Sequence, residues 1–179
     1  MNRVDRKLAF PLAFCLSTWL VSTPALAAPP EIATIIHAQQ PFGEGQVRFL
    51  FLNAYTASLW TDAASWSLDA PTAMAIHYGM GFDTDDLVER TIKEMRHVDP
   101  NLSDAELTKL TAQLNKVYPP VKAGDRLTAL YLPGKPLAFF YNGAPTSSID
   151  GAYAKDFFGI WLSPDTSDPS LRKKLLKLP

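Results

Sequence analysis

The longest stretch of strand-like patterning runs from Val47 to Trp60. Its odd positions are Val47, Phe49, Phe51, Asn53, Tyr55, Ala57 and Leu59; its even positions are Arg48, Leu50, Leu52, Ala54, Thr56, Ser58 and Trp60. Successive side chains of a strand point to opposite faces. Both faces are largely apolar over the first half, so both must be covered. One takes helices, and the other a second layer or a ligand. Ile32 to His37 is apolar and β-branched and predicts an earlier strand, with a turn at Pro41 to Gly45 between the two. Met74 to Met80 predicts a further strand.

The periodicity then changes. Asp83 or Thr84 is placed to cap a helix reaching about His97, with Val88, Thr91, Ile92 and Met95 as its apolar stripe. Ser103 and Glu106 have capping-box spacing, and Leu107, Leu110, Leu114 and Val117 form the stripe of a second helix that Pro119-Pro120 stops. Asp125 to Leu132 and Leu137 to Asn142 flank Pro133-Gly134-Lys135-Pro136 as a hairpin, and Asn142-Gly143 marks another turn. Asp150 is placed to cap an aromatic helix in which Tyr153, Phe157, Ile160 and Trp161 share a face. Asp168 followed by Pro169 opens a last helix. Strands first, two helices in the middle, a hairpin and two closing helices predict one α+β domain.

The N-terminus changes the picture of where that domain resides. Arg3, Arg6 and Lys7 precede an apolar run from Leu8 to Val21, and Ala25-Leu26-Ala27 has the form of a cleavage signal. Residues 1–27 therefore read as a secretory signal peptide cleaved after Ala27, leaving a single domain over 28–179, periplasmic or secreted. The apolar run is shorter than a membrane span needs, so the mature chain is expected to carry no transmembrane anchor. Cleavage removes Cys15, the only cysteine, so a thiol nucleophile, a disulfide and a cysteine metal ligand are all excluded from the mature chain. The whole chain has a formal charge of −1, and no basic block is long enough to suggest nucleic acid. Arg172, Lys173, Lys174 and Lys177 lie where a helix C-terminus favours cations.

Catalytic signatures are sparse. His37, His77 and His97 share no metal-ligand spacing, and Asp83, Asp85 and Asp86 are accounted for by a helix N-terminus. No nucleophile-elbow, P-loop or dinucleotide-binding pattern is present, so no cofactor and no metal are expected. Arg48 interrupts an apolar strand, either as a sheet-end arginine reaching water or as a carboxylate clamp at the mouth of a cavity. Tyr55 is either a core tyrosine or a ligand contact, and Asn53 could assist in either setting.

Several stretches, in order, resemble the bacterial chalcone isomerase-like proteins. They are Gly43-x-Gly45 before the long strand; Phe51-x-x-Ala54-Tyr55-x-Ala57-x-Leu59-Trp60; Tyr118-Pro119-Pro120-Val121-Lys122-x-Gly124-Asp125; and Tyr141-Asn142-Gly143. The ending Phe157-Phe158-Gly159-Ile160-Trp161-Leu162-Ser163-Pro164 with its Leu-rich tail completes the set. The resemblance implies an antiparallel sheet with helices packed on one face, enclosing an apolar cavity.

The family contains isomerases and members that bind fatty acids. In the plant isomerases an arginine and a threonine on early strands act with a tyrosine and an asparagine on the following helix; fatty-acid-binding relatives hold a carboxylate with an arginine and a tyrosine. Arg48 matches the arginine, and Tyr55 stands where the strand threonine would be. Leu87 and Glu94 fall near the helix tyrosine and asparagine, and neither substitutes for its counterpart: Leu87 lacks a hydroxyl, and Glu94 brings negative charge towards an oxyanion. The resemblance thus implies a non-catalytic protein binding a fatty acid or similar small apolar anion beside the long strand, with Arg48, Tyr55 and Asn53 as ligand-binding residues. Two alternatives stand beside it. One is an isomerase or intramolecular lyase acting on a chalcone-like, phenolic or enone substrate. The other is an interaction protein whose cavity is filled by its own side chains.

Overall fold

The computed structural model describes residues 28–179. The signal peptide expected over residues 1–27 lies outside the described residues. Six strands pair in chain order into one antiparallel sheet: β1 (Gly43–Phe49), β2 (Leu52–Trp60), β3 (Thr72–Tyr78), β4 (Arg126–Tyr131), β5 (Leu137–Tyr141) and β6 (Ala144–Ile149). Helices α1 (Thr84–Val98) and α2 (Asp104–Val117) follow β3, and α3 (Ala154–Leu162) and α4 (Pro169–Leu176) follow β6. Their apolar stripes share one core with the same face of the sheet. The α+β class and the one-sided helix layer expected from the sequence are those observed.

Local chemistry explains the helix starts. The Ser103 hydroxyl accepts from the Glu106 amide (3.3 Å), and the Glu106 carboxylate accepts from the Ser103 amide (2.9 Å), closing the capping box of α2. Leu110 and Leu114 are fully buried, each worth roughly 1.5–3 kcal/mol of transfer free energy. Asp168 accepts from the Leu171 amide (2.9 Å) ahead of Pro169 in α4. Asp150 accepts from the Ala152 amide (3.1 Å) and caps a single 3-10 turn, Gly151–Tyr153, that leads into α3. At α1, Asp83 holds the capping position without a side-chain bond, and the Thr84 hydroxyl donates instead to the Tyr118 carbonyl (3.0 Å). Gly43 and Gly45 let α4 lie directly on β1: a Cβ at Gly43 would stand 2.1 Å from the Leu175 carbonyl oxygen.

Two sequence expectations are corrected. Ile32 to His37 is not a strand, and residues 30–35 form a helical turn: the Ile32 amide donates to the Pro29 carbonyl (3.0 Å) and the Ile36 amide to that of Ile32 (2.8 Å). Four-residue spacing puts Ile32 and Ile36 on one side, where both are buried against Trp60, Ala73, Ala75 and Leu130 on the sheet face away from the helices. Glu31 pins this strap. Its carboxylate accepts from the Arg126 guanidinium (2.8 Å) and the Thr128 hydroxyl (2.6 Å). The strap thus covers the Trp60 end of the long apolar run with the chain's own residues, whereas the expectation that its first half is covered on both faces fails: Phe49, Leu50, Phe51 and Leu52 are exposed.

The second correction concerns the long strand. Val47 to Trp60 is a hairpin, broken by a two-residue loop at Leu50-Phe51 between the paired residues Phe49 and Leu52. Leu50 sits in the left-handed region, φ 55°. Further in, Val47 pairs with Tyr55 but Arg48 pairs with Asn53, so Ala54 is an extra residue, a β-bulge.

Candidate functional site

The sheet's helix-side face and helices α1, α3 and α4 do not meet everywhere. Between them lies a cavity of about 530 Å³, within the range of small-molecule sites. Met74, Ile76, Ala129 and Phe139 form its floor, and Leu87, Phe157, Ile160 and Leu171 line it from the helices. Phe157 is wedged edge-on between Phe139 (ring centroids 5.2 Å apart) and Trp161 (5.5 Å), which ties α3 to the sheet.

The walls also carry polar groups, among them the carboxylates of Asp86, Glu94 and Asp168. Tyr55 reaches in from β2, and its hydroxyl oxygen accepts from the Trp161 indole N–H (3.1 Å), a bond between residues 106 apart in sequence. That leaves the Tyr55 proton free to be donated. Tyr78 and Tyr118 line the same space. The Thr91 hydroxyl donates to the Leu87 carbonyl (2.8 Å) and stands 3.2 Å from the Tyr118 hydroxyl oxygen. Burial pushes all three phenols above their ordinary value of 10.0 and Tyr78 well above it, with the Trp161 bond opposing part of the shift at Tyr55. They therefore remain neutral hydrogen-bond donors at physiological pH and do not act as bases.

Two guanidinium groups line the cavity, and they are not equivalent. Arg90 on α1 pairs with Glu94 one turn later (2.9 Å). Glu94 is itself buried and also accepts from the Ser167 hydroxyl (2.6 Å). Arg48 is solvent-exposed, as Arg90 is, but lies outside the ion pairs formed among the described residues. The cavity thus has one neutralised cation and one available cation.

The three residues singled out from sequence separate here. Arg48 and Tyr55 both line the cavity. The β1–β2 hairpin sets Arg48 and Tyr55 on neighbouring strands, and both border the cavity although the bulge leaves Tyr55 paired with Val47 and Arg48 with Asn53. Asn53 is not among the cavity-lining residues. With its amide nitrogen turned towards them, it donates to the Tyr55 (3.0 Å) and Val47 (3.2 Å) carbonyls and so clamps the bulge. Arg90, Tyr78 and Tyr118 were not singled out as site residues by sequence reasoning. For Arg90 a signal existed: Leu87, Arg90, Thr91 and Glu94 recur at helical spacing beside the apolar stripe of α1, a second face of the same helix. The histidines stay apart, with His37 beside Asp62 (3.3 Å) and His77 on the strap side of β3. Among the described residues, no group of three or more metal-binding side chains comes together.

Known proteins share this architecture. A family model described as chalcone isomerase-like matches residues 43–177. A Haemophilus influenzae protein described as uncharacterized is 20% identical over 138 residues, covering 76% of this chain and 67% of that one. Among solved structures, a fatty-acid binding protein of Arabidopsis thaliana superposes with a TM-score of 0.57 at 12% identity, covering 76% of this chain and 86% of that one. At that identity the likeness is one of fold. The strap residues Ile32 and Ile36 precede the matched span.

Proposed function

The chain belongs to the chalcone isomerase-like family, and we propose that it is a non-catalytic carrier of a fatty acid or a similar small apolar anion. The acyl chain would lie over Met74, Ile76 and Ala129. Its head group would meet Arg48, with the Tyr55 hydroxyl donating a second bond. The observation that carries this reading is the pairing of the two arginines that line the cavity: Arg90 is already paired with Glu94, and Arg48 is unpaired among the described residues. Ten buried methylenes at roughly 0.8 kcal/mol each contribute about 8 kcal/mol. That is the scale of micromolar affinity, before the costs of association are subtracted and the head-group contact added. We further propose that the protein is exported through cleavage after Ala27 and works as a single domain over 28–179. Among the described residues, no helix is long and apolar enough to cross a membrane.

Two other readings are weaker on specific grounds. An isomerase of this family has to stabilise a developing oxyanion, whereas Glu94 adds a carboxylate to the wall near where the resemblance expects an asparagine. A scaffold filled by its own side chains does not accord with a cavity of about 530 Å³.

The test is to purify the protein, denature it, extract it and identify released molecules by mass spectrometry, then to titrate the stripped protein calorimetrically with lauric, palmitic and oleic acids. A stoichiometric fatty acid and saturable binding are expected. A stripped protein giving no saturable heat with any of the three would rule out the carrier.

A further inference from the structure

Five large apolar side chains are well exposed among the described residues, and four of them are consecutive: Phe49 (62%), Leu50 (78%), Phe51 (97%) and Leu52 (60%). They form the tip of the β1–β2 hairpin. We propose that this tip is a membrane-surface anchor, which inserts into the interfacial layer of a lipid bilayer and holds the mouth of the cavity against it.

The shape of the patch selects the occupant. Consecutive residues of a hairpin point in different directions, so the tip is apolar on every side. A folded partner could cover one side of it, whereas a lipid layer surrounds a protruding tip completely. Size leads to the same choice: four side chains cannot supply the roughly 800 Å² per partner of a standard protein interface. Contiguous exposed apolar residues on a soluble surface mark an interaction site.

Local sequence chemistry shows that the apolarity is not what the turn itself prefers. A two-residue hairpin loop with a left-handed first residue favours Asn, Asp or Gly. Leu50 occupies that position at φ 55°, where a leucine is sterically disfavoured.

Charge and position agree. Arg48 immediately precedes the tip, is exposed, and is long enough to keep its guanidinium at phosphate level while the tip goes deeper. Arg48 and Phe49 also border the cavity, so the edge that enters the interface is the edge through which an apolar molecule would pass. The anchor does not depend on what the cavity holds, and its test contains no fatty acid.

Protein purified from cells expressing the whole chain is mixed with phosphatidylcholine vesicles, with and without phosphatidylglycerol, and its partition is read by sedimentation. Leu50→Gly combined with Phe51→Asn suits a loop whose first residue alone has a positive φ, so folding is retained while the anchor is removed. The double variant is expected to partition at least tenfold more weakly than the parent, and the parent more strongly to the anionic vesicles. Independently, the indole introduced by Phe51→Trp is expected to shift to the blue on vesicle addition and to be quenched by brominated acyl chains. Equal partition of parent and double variant, or absence of quenching, would overturn the anchor. So would a double variant that loses self-association while keeping vesicle binding.

Discussion

Replacing Arg48 by glutamine separates the head-group contact from the apolar cavity. A hydrogen bond to a charged group contributes about 1.5–3 kcal/mol when well enclosed. Arg48 is exposed and unpaired among the described residues, so its contact with a carboxylate is screened and falls towards about 1 kcal/mol, the upper range for surface pairs. Arg48→Gln is therefore expected to weaken palmitate binding about fivefold to tenfold. Removing that charge takes no surface from the cavity floor, so palmityl alcohol, which has no charge for Arg48 to meet, should bind parent and variant alike. The assay is paired calorimetric titration of acid and alcohol at low and high salt. The difference between the two ligands should shrink as salt shortens the screening length from about 10 Å at 0.1 M. Equal losses for acid and alcohol, or a salt-independent loss for the acid, would refute the reasoning and place the head group elsewhere.

Arg126→Met leaves Glu31 buried without its cation and is expected to destabilise the protein by about 3–5 kcal/mol in urea unfolding; adding Glu31→Leu should recover much of that loss. Gly43→Ala drives a methyl group into the α4 backbone at Leu175 and should cost at least about 1–3 kcal/mol by the same measurement. Burial, and after it the Arg126 guanidinium, hold His77 below its ordinary value of 6.5, with Glu44 and Glu31 opposing. The folded state then favours neutral imidazole, so this stabilisation is complete above pH 6.5 and is lost as pH falls from 6.5 through the folded value. A thermal-melt series against pH should show that decline, and His77→Gln should flatten it.

Where sequence and structure agree, the signal is local and carried by side-chain chemistry. Ser103 and Glu106 announce α2 because both partners of the capping box lie within four residues. Phe157, Ile160 and Trp161 announce a buried face of α3 because their spacing is helical. Where they diverge, a local pattern has two readings and a distant partner chooses. Ile32 and Ile36 suit a strand by composition, but the pocket beside Trp60 and the Glu31–Arg126 pair favour a helical turn. The break at Leu50 is hidden because neither Gly, Pro nor Asn marks it. At the candidate site, Arg48 and Tyr55 were legible as polar interruptions of an apolar strand. The hairpin that sets them on neighbouring strands, and the bulge that gives Asn53 a backbone role, depend on pairing between β1 and β2 and have no composition of their own. β6, with its polar run Ala144–Ile149, is a strand only because β5 lies beside it.

The Trp161–Tyr55 bond has an optical consequence. Among the described residues there are three indoles, and only Trp161 borders the cavity; Trp60 is enclosed on the opposite face of the sheet and Trp66 lies outside the walls. A molecule entering the cavity alters the surroundings of one of these three indoles and leaves the other two as an internal reference. The protein's ultraviolet emission is thus a built-in gauge of occupancy, readable in dilute solution without a dye or an attached label.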